Sequence, residues 1–285
     1  MGMDHLRDWI GTSESAEDIA APAALAGLAA TLDHDTPPWP AGEVPPLGHW
    51  LYFLPRAPQR DIAADGHPRK GGFLPPVDLP RRMWAGGSLT FHRPIHSGEA
   101  ITRRSTIDDV APKEGRSGRM VFVKVRHEIA TAAGLAVTEF HDIVYREAAK
   151  PGEAPAPGEP PSGEPAWQRR ILPDPVLLFR FSALTFNGHR IHYDRDYCRD
   201  VEGYPGLVFH GPLSATMLVD LFLRANPGAR VTGFRFRAKR PLFDIHPLTL
   251  CGAPSDTGAR LWVTDHEGFV AMSAELATEL AAERA

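Results

Sequence analysis

Residues 181–194 read FSALTFNGHRIHYD, and residues 204–212 read YPGLVFHGP. The first stretch gathers Asn187, His189, His192, Tyr193 and Asp194 into the densest polar cluster of the chain. The second runs a Pro-Gly turn into an apolar, strand-like step and then into His210-Gly211-Pro212. Proline suits the first turn of a helix, where its missing N–H costs nothing. Gly211 then leaves a backbone N–H pointing out of the helix N-terminus, a donor for developing negative charge. The helix opened there, residues 211–224 (GPLSATMLVDLFLR), is apolar almost all round, which predicts burial on several sides.

Outward from this region the chain divides. Residues 151–165, PGEAPAPGEPPSGEP, are dominated by Pro and Gly and read as a semi-rigid, solvated linker. The expected units are residues 1–150, the linker 151–165, and residues 166–285. The flanks repeat one pattern: residues 93–102 (RPIHSGEAIT) align without a gap on residues 240–249 (RPLFDIHPLT). Both follow an aromatic strand-like run, and both lead into another strand. A repeat of this length means two copies of one domain rather than a solenoid. In the first copy, residues 14–32 (ESAEDIAAPAALAGLAATL) read as the early helix. Strands are predicted at 50–54, 89–94, 100–110, 120–129 and 136–146, then at 233–239, 247–251, 260–264 and 269–275. One buried helix followed by antiparallel strands, twice over, is an α+β pattern.

Composition narrows the function. The 285 residues include 28 prolines, too many for a helical bundle. A net charge of -4 argues against broad nucleic-acid or anionic-membrane binding. Two cysteines, Cys198 and Cys251, are too few for a disulfide scaffold and fit a reducing cytoplasm. No apolar run approaches a membrane span, and the start of the chain has no apolar secretory core. Residues 115–118 (GRSG) match neither the dinucleotide nor the P-loop spacing. His189 and His192 lack a Cys or third His at a tight zinc spacing, so no metal is expected.

The two stretches quoted first resemble the MaoC-like, or hydratase-2, hot-dog enzymes. The family pattern is Asp-x-Asn-Pro-hydrophobic-His-x-Asp, followed by an apolar-His-Gly step. Here His192 falls on the family's catalytic histidine and Gly211 on the glycine whose N–H binds the thioester oxygen. Asn187 stands where the family usually has a catalytic Asp, and His189 where it has Asn. The run FSALTFNxHxIHYD is similar to the type 2 hydroxyacyl-thioester dehydratase branch, which includes mesaconyl-C4-CoA and itaconyl-CoA hydratases. Segments of the first half, GHWLYFLP, DGHPRKGGFLPP and LPRRMWAGGSLTF, share that resemblance.

The resemblance implies a double hot-dog fold: two long helices, each wrapped by an antiparallel sheet, paired as a pseudo-dimer. It implies a catalytic second half and a first half that shapes the acyl pocket. The activity implied is a reversible hydro-lyase acting on an enoyl-CoA thioester, short, branched and dicarboxylic. The rival readings are a 3-hydroxyacyl-carrier-protein dehydratase and a non-catalytic acyl-thioester-binding protein, the latter kept open by Asn187. Gly211 would polarise the thioester carbonyl, His192 would exchange the proton with water, and Asn187 would hold that water. Arg81, Arg82, Trp84, Arg190, Tyr193 and His210 are the candidate substrate-binding residues, since guanidinium groups suit carboxylates and phosphates. No cofactor is expected beyond the coenzyme A of the substrate. The family also implies a homo-oligomer, a dimer or higher.

Overall fold

The structure is a computed structural model that describes residues 3–115, 118–147 and 158–279. Residues 116–117 of the GRSG turn and 151–157 of the linker lie outside the described residues. Strands β1 (Ser13–Ile19), β2 (Arg81–Phe91), β3 (Ala100–Gly115), β4 (Gly118–Thr131) and β5 (Gly134–Arg146) come from the first half. Strands β6 (Trp167–Ile171), β7 (Val231–Ala238), β8 (Leu248–Ser255), β9 (Gly258–Thr264) and β10 (Val270–Thr278) come from the second. The α-helices are α1 (Pro22–Thr31), α2 (Pro175–Leu184), α3 (Arg195–Asp200) and α4 (Gly211–Ala225).

All ten strands join one antiparallel sheet in the order β1-β3-β4-β5-β2-β7-β10-β9-β8-β6. Reading inward from each edge gives the same topology twice, with β2 and β7 meeting at the centre. The segment 93–99 lies between β2 and β3, and its aligned counterpart 240–246 lies between β7 and β8. The repeat seen in the sequence therefore occupies equivalent corners of two like-wound halves.

The central seam depends on small residues. β2 pairs with β7 from Gly86↔Arg237 to Thr90↔Gly233, while its other edge pairs with β5. A Cβ on Gly86 would stand 2.5 Å from the Phe236 carbonyl oxygen, and one on Gly87 would stand 2.5 Å from that of Phe140. These two glycines serve close strand approach rather than flexibility.

Helix α4 is buried at every position from Leu213 to Leu223, as its all-round apolar character predicts. Its residues share one core with Leu28, Leu47, Leu51 and Leu89 of the first half, so the core is continuous across the seam. A smaller core lies under β3, β4 and β5. There Val121, Val123 and Val125 alternate inward against Leu6, Val77 and Leu79.

Two local expectations change. The predicted helix over 14–32 splits: residues 13–19 form the edge strand β1 on β3, and α1 begins only at Pro22. Proline is tolerated in the first turn but not in a helix interior, so the Ala21-Pro22 step marks the boundary. The first helix is accordingly 10 residues against 15 for α4. The predicted strand over 50–54 is instead a 3-10 turn, Gly48–Leu51, which presents His49 and Trp50 to Glu139. Left-handed Leu47 and Phe53 (φ 68° and 54°) bracket it and prevent an extended run.

The described end of the linker lies against the second half. The Glu159 carbonyl accepts from Val270 N–H at 2.8 Å, and the Ala166 N–H donates to the Gly252 carbonyl at 2.8 Å. Among the described residues no helix is long and apolar enough to cross a membrane.

Candidate active site

The motif loop starts where α2 stops. Asp174 caps α2 by accepting from the N–H groups of Val176 and Leu177 at 2.7 and 2.9 Å. At the other end Phe186 takes a left-handed φ of 48°, which turns the chain out of the helix. Asn187 Oδ1 then accepts from the His189 N–H at 3.0 Å. This Asx turn uses the side-chain oxygen and leaves the amide N–H pair to another partner. Asp194 closes the loop by capping α3, accepting from Tyr197 N–H at 2.9 Å.

His192 is 7% exposed. Its Nδ1 lies 2.8 Å from the Val208 carbonyl oxygen, which can only accept, so Nδ1 carries the proton and Nε2 the lone pair. Burial pushes its pKa down to about 4, partly offset by the Val208 carbonyl. The imidazole is thus neutral and basic at Nε2 at pH 7.

His210 stacks on His192 with ring centroids 3.6 Å apart and planes 16° apart. It is itself buried, with Nε2 2.9 Å from Ser182 Oγ. Burial first, then His192 and His189, hold its pKa well below the ordinary value. His210 is also the residue before α4, so the stack places His192 beside the N-terminus of a 15-residue helix. No heavy atom lies within 4 Å of where a Cβ of Gly211 would be. That space adjoins the helix N-terminus, whose free N–H groups can donate to an incoming oxygen.

The first half completes this site. Residues 62–68 form a small hairpin closed by an Ile62↔Pro68 bridge, and its tip lies on the motif loop. The Asp65 carbonyl accepts from Arg190 N–H at 2.9 Å. Gly66 (φ +90°) packs so closely that a Cβ would stand 1.8 Å from the Gly188 carbonyl oxygen. This docking brings the His67 ring to 4.1 Å from that of His189, which in turn meets His192 edge-on at 5.6 Å. Burial is the main cause that lowers the pKa of both His67 and His189 to about 3. Arg82 and His192 add to it at His67, and His67 and His192 at His189.

Asp65, His67 and His189 also place three ligand atoms all within 4.8 Å of one another, the group among the described residues that could share a metal ion. Gly66→Ala is expected to undock the hairpin, lowering kcat/KM at least roughly tenfold through misplacement of the site. A kinetic assay at matched folded fraction checks this; an unchanged kcat/KM would show that the hairpin does not shape the site.

The other sequence candidates are distributed unevenly. Arg82 donates to the Tyr145 hydroxyl and lies near His67 and His189. Arg190 is instead engaged as a staple between the halves: Nη2 lies 2.7 Å from Asp194 Oδ2, Nη1 lies 3.2 Å from the Ala64 carbonyl, and the guanidinium covers the Tyr197 ring. Arg81 donates to the Glu202 carbonyl at 3.3 Å and sits over Tyr204. Tyr193 is half exposed, with its hydroxyl donating to the Gly188 carbonyl. Trp84 belongs to an aromatic cluster with Trp50, Phe236 and His141 at 5.0, 5.6 and 4.1 Å.

Asp65, Gly66 and His67 were absent from the expected site. Their signal was the segment DGHPRKGG, but nothing in its spacing shows that it lies on residues more than a hundred positions away.

The comparisons with known proteins bear on this geometry. The family of hydroxyacyl-thioester dehydratase type 2 matches residues 47–244, a span that holds both the hairpin and the motif loop. A mesaconyl-C(4)-CoA hydratase from Chloroflexus aurantiacus is 46% identical over 267 residues, covering 93% of this chain and 95% of that protein. Among solved structures, a MaoC-like dehydratase from Phytophthora capsici superposes with a TM-score of 0.70 at 15% identity, covering 99% of this chain and 100% of its own. A conserved hypothetical protein from Mycobacterium tuberculosis, described as a double hot dog, gives a TM-score of 0.55 at 12% identity over 94% of this chain and 96% of its own. The fold is the double hot dog. With the motif loop, the helix N-terminus and a family match across most of its length, the chain belongs to the type 2 hydroxyacyl-thioester dehydratases, hydro-lyases of the MaoC-like hot-dog family.

Proposed function

We propose that the protein reversibly adds water to a short, branched, dicarboxylic enoyl-CoA thioester, with mesaconyl-C4-CoA as substrate. The observation that carries this reading is the His192–His210 stack, which joins a neutral base to the free N-terminus of α4. The identity of the substrate rests on the 46% identical relative.

The Gly211 N–H, reinforced by the α4 dipole, donates to the thioester oxygen as negative charge develops on it. Asn187 holds a water molecule through its amide group. His192 Nε2 takes a proton from that water as the oxygen bonds to the β-carbon, and the resulting imidazolium returns a proton to the α-carbon. Atoms balance with water alone, and the coenzyme A enters only as part of the substrate. Asn187 does not titrate in this range, so His192 serves both proton transfers.

The assay is loss of the enoyl-thioester absorbance with mesaconyl-C4-, itaconyl- and crotonyl-CoA. Binding of these thioesters with turnover of none would leave a binding protein instead of a hydratase. The pH profile tests the base separately. Activity requires neutral His192, so kcat/KM falls only as pH drops toward its pKa of about 4. A plateau persisting below pH 6 is expected, whereas an ordinary histidine (pKa about 6.5) would already be mostly protonated there. A limb centred near 6.5 would remove His192 from this role.

A further inference from the structure

The cations near the site differ in what they already hold. Arg190 is committed to Asp194 and Ala64, and Arg81 to the Glu202 carbonyl. Lys70 donates to the Val77 and Leu79 carbonyls at 3.4 and 2.6 Å. Arg82 has the neutral Tyr145 hydroxyl as its partner and, among the described residues, no carboxylate. Tyr145 is 1% exposed, so the guanidinium is anchored on a buried group rather than swinging in solvent.

Within electrostatic reach of Arg82 is a second group without a match. Nδ1 of His67 is buried with no hydrogen-bond partner among the described residues. With its proton there, it is a donor lacking an acceptor, an arrangement that costs free energy until something fills it. The acid beside it, Asp65, has Oδ1 taken by the His67 backbone N–H at 3.0 Å, and its Oδ2 lies 3.7 Å from Nδ1, too far for a hydrogen bond. The Asp65 side chain is 43% exposed, so its charge is hydrated. A guanidinium with no carboxylate partner among the described residues and an imidazole donor with no acceptor together fit a bound carboxylate. His189 lies between this pair and His192, so the receptor is one imidazole ring from the base.

We propose that Arg82 and His67, with His189 as the spacer against His192, form a receptor that selects enoyl thioesters carrying a carboxylate on the carbon that takes the hydroxyl. This rests on the hydratase reading and names the substrate class of the same site. Two successive ring contacts, 4.1 and 5.6 Å between centroids, link His67 to the base, which suits a carboxylate on a short acyl chain. In a mesaconyl-C4 thioester the β-carbon bears the second carboxylate; in a crotonyl thioester it bears none. The receptor is assembled from both halves, which gives the first half a direct part in specificity.

The test is the ratio of kcat/KM for mesaconyl-C4-CoA to that for crotonyl-CoA, in wild type, Arg82→Gln, Arg82→Lys and His67→Gln. General damage to folding lowers both substrates alike and leaves the ratio unchanged. The expected ratio falls about 100-fold in Arg82→Gln and about tenfold in His67→Gln, with partial recovery in Arg82→Lys. A ratio within about threefold of wild type in Arg82→Gln overturns the proposal. So does activity that a chelator abolishes and zinc restores, because Asp65, His67 and His189 would then be metal ligands. Calorimetric binding of the same two thioesters to His192→Ala separates this from the hydratase reading. Wild type that turns over neither thioester defeats that reading, while the receptor still stands if mesaconyl-C4-CoA binds about 100-fold more tightly and falls if the two bind equally.

Discussion

Replacing His192 by alanine is expected to lower kcat/KM for the enoyl thioester by about a thousandfold, within the range for loss of a general acid–base group. The reason is geometric. His192 Nδ1 is bonded to the Val208 carbonyl, so Nε2 is the ring atom left to exchange a proton with water. His210 meets Ser182 Oγ through Nε2, and its Nδ1 is buried with no partner among the described residues. His189 lies 5.6 Å away with its ring at 90° to that of His192. Truncation also removes the stacking partner of His210, so the measurement pairs kinetics with circular dichroism on His192→Ala and His192→Gln. Both variants should remain folded and lose turnover while retaining thioester binding. Full activity in either would assign the base elsewhere.

Glu139→Ala is expected to destabilise the protein by about 3–5 kcal/mol, the cost of breaking a buried ionic network by removing one partner. At this chain length that lowers the thermal midpoint by roughly 10 °C. Glu139 is 2% exposed on β5. Oε2 lies 2.9 Å from His49 Nε2, while Oε1 accepts from Trp50 Nε1 at 2.8 Å and lies 2.7 Å from His141 Nε2. Burial alone would raise its pKa, but His141 and His49 outweigh that and hold the carboxyl well below its usual range. His127 extends the cluster, 4.4 Å from His141 and bonded to Ser105 at 2.9 Å. Alanine would leave buried donors on His49 and Trp50 unmatched. A shift below about 1 kcal/mol in denaturant unfolding would show that these groups find other partners.

Much of the architecture was legible in the chain. Strands β3, β4, β5, β7, β9 and β10 follow from alternation and apolar runs, and α4 from its unbroken apolar surface. The edge strands β1 and β6 escaped notice because SESAEDI and WQRRI are short and polar, as edges that avoid aggregation tend to be. The 3-10 turn at Gly48–Leu51 escaped because an aromatic run reads as a strand until His49 and Trp50 are known to reach Glu139.

The residues of FSALTFNGHRIHYD and YPGLVFHGP determined, by local chemistry alone, a capped turn, a helix start with an open N–H and a histidine between them. These are short-range features, set by φ preferences, missing N–H groups and side-chain donors within a few positions. Which histidine nitrogen is free, which arginine near the site is held by a neutral hydroxyl instead of a carboxylate and which first-half loop closes the site were decided only by the tertiary structure. Each depends on groups distant in the chain: Val208 against His192, Tyr145 against Arg82, and Gly66 packed on Gly188. Burial then makes these contacts consequential, because a donor or charge removed from water must find its partner within the fold.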